Sequence, residues 1–92
     1  MRYKVLRRAR MELGGRTSDV IIRNISDGGA LVEGLSLPGG WEETPVRIAL
    51  HGMGMMGATV RWSADRRIGV RFDDHVGGDR LNQLVGGGGD AG

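Results

Sequence analysis

Within six residues, Asn24, Ser26 and Gly29 set a side-chain amide, a small hydroxyl and a residue without Cβ close together. An amide both donates and accepts, so Asn24 can read the edge of a base or hold the loop's own backbone. Ser26 offers a hydroxyl small enough to stand beside a flat group without crowding it. Gly28 and Gly29 permit positive φ and let another molecule approach the main chain closely. The same residue types also build an Asx-type turn, in which Asn24 and Ser26 only satisfy nearby backbone groups. Spacing alone leaves both readings open.

The other chemistry-bearing residues are arginines. The thirteen basic residues comprise twelve arginines and Lys4, with a net charge of +2. Arginine presents a planar fork of donors suited to phosphate and base edges, whereas lysine is a point charge. A GC-rich genome would give the same excess, and the eighteen glycines agree with that origin. Arg7, Arg8 and Arg10 can supply positive charge, or Arg8 and Arg10 can be the solvated face of a strand. His51 and His75 are the only histidines and no cysteine exists to join them, so a metal centre is not expected. Asp73, Asp74 and His75 read as a solvated turn. Four serines without a histidine and an acid in a recognisable order give no nucleophile–base pair, and no catalytic residue is expected.

These groups must be positioned by strands. Ninety-two residues make one domain with one modest core. Val5, Ala9, Met11 and Leu13 share one parity and Arg8, Arg10 and Glu12 the other, with Leu6 and Arg7 breaking the rule. Gly14-Gly15 turns the chain into a second strand through Val20, Ile21, Ile22 and Ile25. Ser26 to Gly29 is a tight loop, and Ala30-Leu31-Val32 begins a third strand. Residues 33–43 form a loop from which Trp41 can fold back over an end of the molecule. Val46, Ile48 and Leu50 alternate with polar or small residues in a fourth strand. Gly52-Met53-Gly54 reads as a hairpin turn into a fifth strand through Ala58, Val60 and Trp62. Ser63 to Arg67 is a polar connection, and Ile68, Val70 and Phe72 line the inner face of a sixth strand. On this reading Trp62 and Phe72 are both buried. Asp79 is a candidate N-cap for a short helix carrying Leu81, Leu84 and Val85. The expectation is an all-β fold: a six-stranded antiparallel barrel, Greek-key-like and split, closed by a short C-terminal helix. The domain covers residues 1–85, and 86–92 form a flexible glycine-rich tail.

The segment from Ile22 to Val32 resembles the signature of the bacterial PilZ domain: Asp or Asn, any residue, Ser, two residues, then Gly. Asn24, Ser26 and Gly29 fill those places. Ala58-Thr59-Val60-Arg61-Trp62 followed by Ile68-Gly69-Val70-Arg71-Phe72 resembles the same family's late hairpin. The resemblance runs from Arg2 to the terminal helix. It implies a receptor or effector for cyclic-di-GMP, with Asn24, Ser26 and Gly29 as ligand residues and no cofactor. Receptors of this family also carry two arginines, separated by three residues, before the first strand. Arg2 falls where the second would stand and the first would precede Met1. Lys4 and Arg8 have the spacing but lie inside the strand, so Arg2, Arg7 and Arg8 complete the candidate set. The loss of one such arginine, a hydrogen bond to a charged group, would weaken binding by roughly ten- to a hundredfold.

Three functions follow. The first is the cyclic-di-GMP receptor, joined to a protein partner in a signalling pathway. The second is a degenerate domain of the same fold that binds the dinucleotide weakly or not at all and acts through protein contacts. Met53, Met55 and Met56 beside the glycine-rich turn are its candidate surface, unless one or two tuck under the barrel rim. The third is a barrel for single-stranded nucleic acid, supported by the basic isoelectric point. Four aromatics, two of them read as buried, leave few stacking platforms, so DNA and RNA are not expected partners. No apolar run reaches the roughly 20 residues of a membrane span, and the cytoplasm is the expected location.

Overall fold

The computed structural model describes residues 3–37, 41–50 and 54–77. Six strands form: β1 (Tyr3–Leu13), β2 (Arg16–Ile25), β3 (Gly29–Glu33), β4 (Pro45–Leu50), β5 (Gly54–Ala64) and β6 (Arg67–Phe72). They close into an antiparallel barrel in the order β1-β2-β3-β6-β5-β4. Because β3 pairs with β6 rather than with β4, the connection after Glu33 crosses from one side of the barrel to the other. β4 meets β1 only over Ala9–Glu12, so among the described residues Tyr3–Arg8 has a strand on one side alone.

Alternation explains the closure. In β4 the buried positions are Val46, Ile48 and Leu50, and in β6 Ile68, Val70 and Phe72. With Ala9, Met11, Val20, Ile22, Ile25, Val32 and Val60 they form one continuous core. Burying an Ile or Val side chain contributes about 1.5–3 kcal/mol before the entropy of ordering it is counted. Leu35 and Leu37 pack on this core from the β3–β4 connection. That connection is fastened by Gly34 N–H to Arg66 O (2.9 Å) and by the Arg66 guanidinium donating to Gly34 O (2.9 Å). Trp41 is half-buried, with its ring edge 3.7 Å from where a Cβ on Gly14 would stand, so it lies against the β1–β2 turn. That turn has only Gly14 (φ 60°) and Gly15 (φ 82°) between Leu13 and Arg16, the two positive values a tight hairpin of this hand needs.

Several expectations change. Ser63, Ala64 and Arg67 belong to strands, so the polar connection shrinks to the turn at Asp65 and Arg66, with Asp65 at φ 56°. Leu6 and Arg7 break the apolar-inward pattern as expected: Leu6 points outward at 72% exposure, while Arg7 takes the half-buried inward place. The β1–β2 register shifts between Lys4 and Arg7. Trp62 is not buried: it is 46% exposed. Register also shifts between Ile22 and Asn24, and a third shift, between Val60 and Trp62, reverses the parity of Trp62: it places Arg61 as an extra residue and turns the indole outward. Met56 tucks into the core, whereas Met55 is exposed. The helix at Leu81, Leu84 and Val85 and the tail 86–92 lie outside the described residues, as does Met53.

Candidate ligand-binding face

The loop between β2 and β3 closes on itself. Ser26 N–H donates to Gly29 O (2.8 Å), Gly29 N–H donates to Ser26 Oγ (3.2 Å), and that hydroxyl donates back to Gly29 O (3.3 Å). Ser26 therefore does hold its own backbone, as the turn reading required. It stays half-buried rather than enclosed. Neither Gly28 nor Gly29 has positive φ, contrary to the sequence expectation. Gly29 is needed for a different reason: a Cβ there would collide with the Val70 carbonyl, so only glycine lets β3 lie against β6. Gly28 has open space where a Cβ would be, which leaves the loop's main chain accessible at that point.

The loop is also fastened from the far side. Phe72 N–H donates to Gly28 O (2.8 Å), Val76 N–H to Asp27 O (3.0 Å) and Gly77 N–H to Asp27 Oδ1 (2.8 Å), while His75 Nδ1 pairs with Asp27 Oδ2. The Gly77 amide, and after it the His75 ring, hold the Asp27 carboxyl below the usual carboxylate range. Asp73 likewise turns back, donating its N–H to Gly57 O (3.0 Å) and accepting from Thr59 Oγ1 (3.2 Å). The Asp73–His75 cluster thus anchors the chain after β6 instead of forming only a solvated turn. Nothing in the sequence pattern pairs Asp27 with residues fifty positions away.

Asn24 belongs to an outward row that runs across five strands. Lys4 pairs with Asn24, Asn24 with Leu31, Leu31 with Gly69, and Gly69 with Trp62. The inward neighbours Ile25, Ala30, Val32, Ile68 and Val70 are all buried, which fixes the outward parity of the row. A Cβ on Gly69 would collide with Trp62 Nε1 and Cε2, so the indole lies flat over that glycine. Three strand spacings separate Asn24 from Trp62, about 14 Å along the surface. Between them lie half-buried Leu31 and the indole, an apolar floor with a hydrogen-bonding amide at one end.

Arginines flank this floor. Arg71, outward between buried Val70 and Phe72, pairs in register with Gly29 and Thr59 and stands 3.9 Å from Glu43. On the other flank Arg23 and Arg67 both reach Glu33 at 3.3 Å. Of the arginines named from sequence, Arg8 is exposed and Arg7 half-buried, opposite Ile21 and Ile22, so both are displaced along β1 from the loop. Arg8 instead lines a cleft of about 770 Å³ with Arg10, Asp19, Glu33, Gly34 and Arg66, at the far ends of β3 and β6 from Ser26–Gly29. Arg2 lies outside the described residues; it precedes Tyr3, whose partner is Ile25. Trp62, Arg71 and Asp27 were not among the residues picked out from sequence. Trp62 was missed because one extra residue in a strand reverses every later side chain.

The PilZ domain model matches residues 1–86. A structure-level match is the PlzA protein of Borreliella burgdorferi, solved in complex with c-di-GMP, at TM-score 0.70 and 15% identity over 92% of this chain. The chain spans 38% of that protein. The uncharacterized Legionella protein Lpg0364 matches at TM-score 0.51 and 21% identity, over 91% of this chain and 85% of that one. No curated protein sequence matches. The signature residues Asn24, Ser26 and Gly29, the closed six-stranded barrel and a family match across nearly the whole sequence agree: the chain belongs to the PilZ domain family.

Proposed function

We propose that this domain is a cyclic-di-GMP receptor that acts by binding rather than by catalysis. The observation that carries the reading is the signature loop with the outward row beside it: Asn24 on β2, half-buried Leu31 on β3 and, on β6, Gly69 with the Trp62 indole over it. A guanine base can stack on the indole and Leu31, an interaction of about 1–3 kcal/mol per base. Asn24 can meet a base edge, and the open main chain at Gly28 and the Ser26 hydroxyl can meet a sugar or phosphate. Gly29 serves by letting the loop sit where it does. Arg2, next to Tyr3 at the entry of β1, adds a fork for phosphate, and Arg7 and Arg8 add positive charge further along the strand. PlzA, the structural neighbour, is recorded with the same ligand, which supports the reading. The setting we propose is the cytoplasm, with the bound state read by a protein partner.

Titration of ¹⁵N-labelled protein with cyclic-di-GMP tests this. Saturable shifts at Asn24–Gly29 and at the Trp62 indole N–H are the expected result. No shifts at millimolar ligand would refute it and leave the degenerate alternative, a protein-contact module, with exposed Leu6 and Met55 as the surface to probe.

A further inference from the structure

We infer that Arg71 is a phosphate-binding residue of this same face, and that Glu43 competes with the ligand for it. The inference rests on the receptor reading and adds a cation that the signature motif does not contain.

Position comes first. Arg71 pairs with Gly29, and its Cα lies 3.5 Å from where a Gly29 Cβ would stand, so it abuts the backbone of the signature loop. Two residues back along β6, on the same outward side, is Gly69 with the Trp62 indole over it. The Arg71 side chain therefore rises between the loop and the stacking surface, where the phosphodiester of a nucleotide with its base on Trp62 would pass.

Availability comes second. Arg67 and Arg23 are closed on Glu33 at 3.3 Å, and Arg10 on Asp19 at 3.4 Å. Arg23 and Arg67 each donate a hydrogen bond to Glu33, whereas Arg71 meets Glu43 at 3.9 Å, too long for one, as is the pair of Arg47 with Glu12 on β4 and β1. The Arg71 side chain is 52% exposed and the Glu43 side chain 66%. A guanidinium has five donors, and a pairing this loose leaves the fork able to turn to an incoming phosphate.

Glu43 is placed to oppose that. Its N–H donates to Val60 O (2.7 Å), and Val60 N–H donates to Thr44 O (2.9 Å), so the turn carrying the carboxylate is tied to β5. Glu43 also has φ 66°, a conformation most side chains avoid, so the backbone there is held by its surroundings. A carboxylate carried on that held backbone stands beside Arg71 when the site is empty and repels an arriving phosphate.

The test is the cyclic-di-GMP affinity of the whole chain by calorimetry, for wild type and for Arg71→Ala, Arg71→Lys, Glu43→Gln and Arg16→Ala, with thermal melts to confirm folding. Arg71→Ala should weaken binding about ten- to a hundredfold. Arg71→Lys should recover only part of that, since a point charge replaces a fork. Glu43→Gln should tighten binding several-fold, and Arg16→Ala, on the distant β1–β2 turn, should leave it unchanged. Wild-type binding with an unaltered Kd for Arg71→Ala would overturn the inference while the receptor reading stands. An unaltered Kd for Glu43→Gln would overturn the competition. Absence of wild-type binding would overturn both readings together.

Discussion

Gly28→Ala and Gly29→Ala are adjacent, chemically identical changes that should have very different costs. At Gly29 the added methyl would run into the Val70 carbonyl, a backbone atom of the paired strand that no rotamer change can move. Relief requires β3 to lift off β6, and overpacking of this kind costs about 1–3 kcal/mol. The same displacement loosens two bonds of the closed loop, Ser26 N–H to Gly29 O and Gly29 N–H to Ser26 Oγ. Each is worth about 0.5–1.5 kcal/mol. The total is about 2–6 kcal/mol, against a stability of roughly 5–14 kcal/mol for a chain of this length. With about 4–8 °C per kcal/mol in a domain of this size, Gly29→Ala should lower Tm by at least about 8 °C. Gly28 has ordinary φ and open space, so Gly28→Ala should be neutral or stabilising by up to about 1 kcal/mol. Melting curves by circular dichroism, with urea midpoints as a check, measure both. Equal melting temperatures for the two variants would refute the argument that glycine is required for β3–β6 approach rather than for loop flexibility.

Gly69→Ala should push the indole off its seat: Trp62 emission shifts, measured in a Trp41→Phe background, and cyclic-di-GMP binding weakens about tenfold, as for loss of one stacked base. An unchanged spectrum and affinity would mean that the ring's place over Gly69 does not matter. Asp27→Asn should alter the acid limb of stability. The folded carboxyl lies below its ordinary 3.8, so its contribution is fully present above that value and drains as pH falls through the lower folded one. Urea midpoints should therefore separate wild type from Asp27→Asn near neutrality and converge in acid; a separation constant down to pH 2 would contradict this.

Much of the fold was legible because strand parity and turn chemistry are local. Val46, Ile48 and Leu50, or Ile68, Val70 and Phe72, announce an inner face from their spacing alone, and Gly14-Gly15 announces its hairpin. The signature triad was legible in the same way, as residue types at fixed offsets. Reading failed where one extra residue enters a strand. Leu6 and Arg7 break the apolar-inward pattern in the structure as in the sequence, but the inward place that alternation gives Trp62 is lost, because the shift at Arg61 turns the indole out. A register shift depends on which residue of the partner strand lies opposite, and that is set only when the barrel closes.

The same division holds for the site. Sequence by itself determined six strands, a tight loop at Ser26–Gly29 and the identity of the groups that loop carries. Tertiary structure decided which strands are neighbours, and with that what the groups can do together. Pairing β3 with β6 brings Arg71 and Gly69 beside a loop some forty residues away, and Asp27 receives the Gly77 amide across fifty. Those contacts follow from non-local backbone pairing, whose partners are selected by burial of one common core rather than by any short-range preference of the residues themselves.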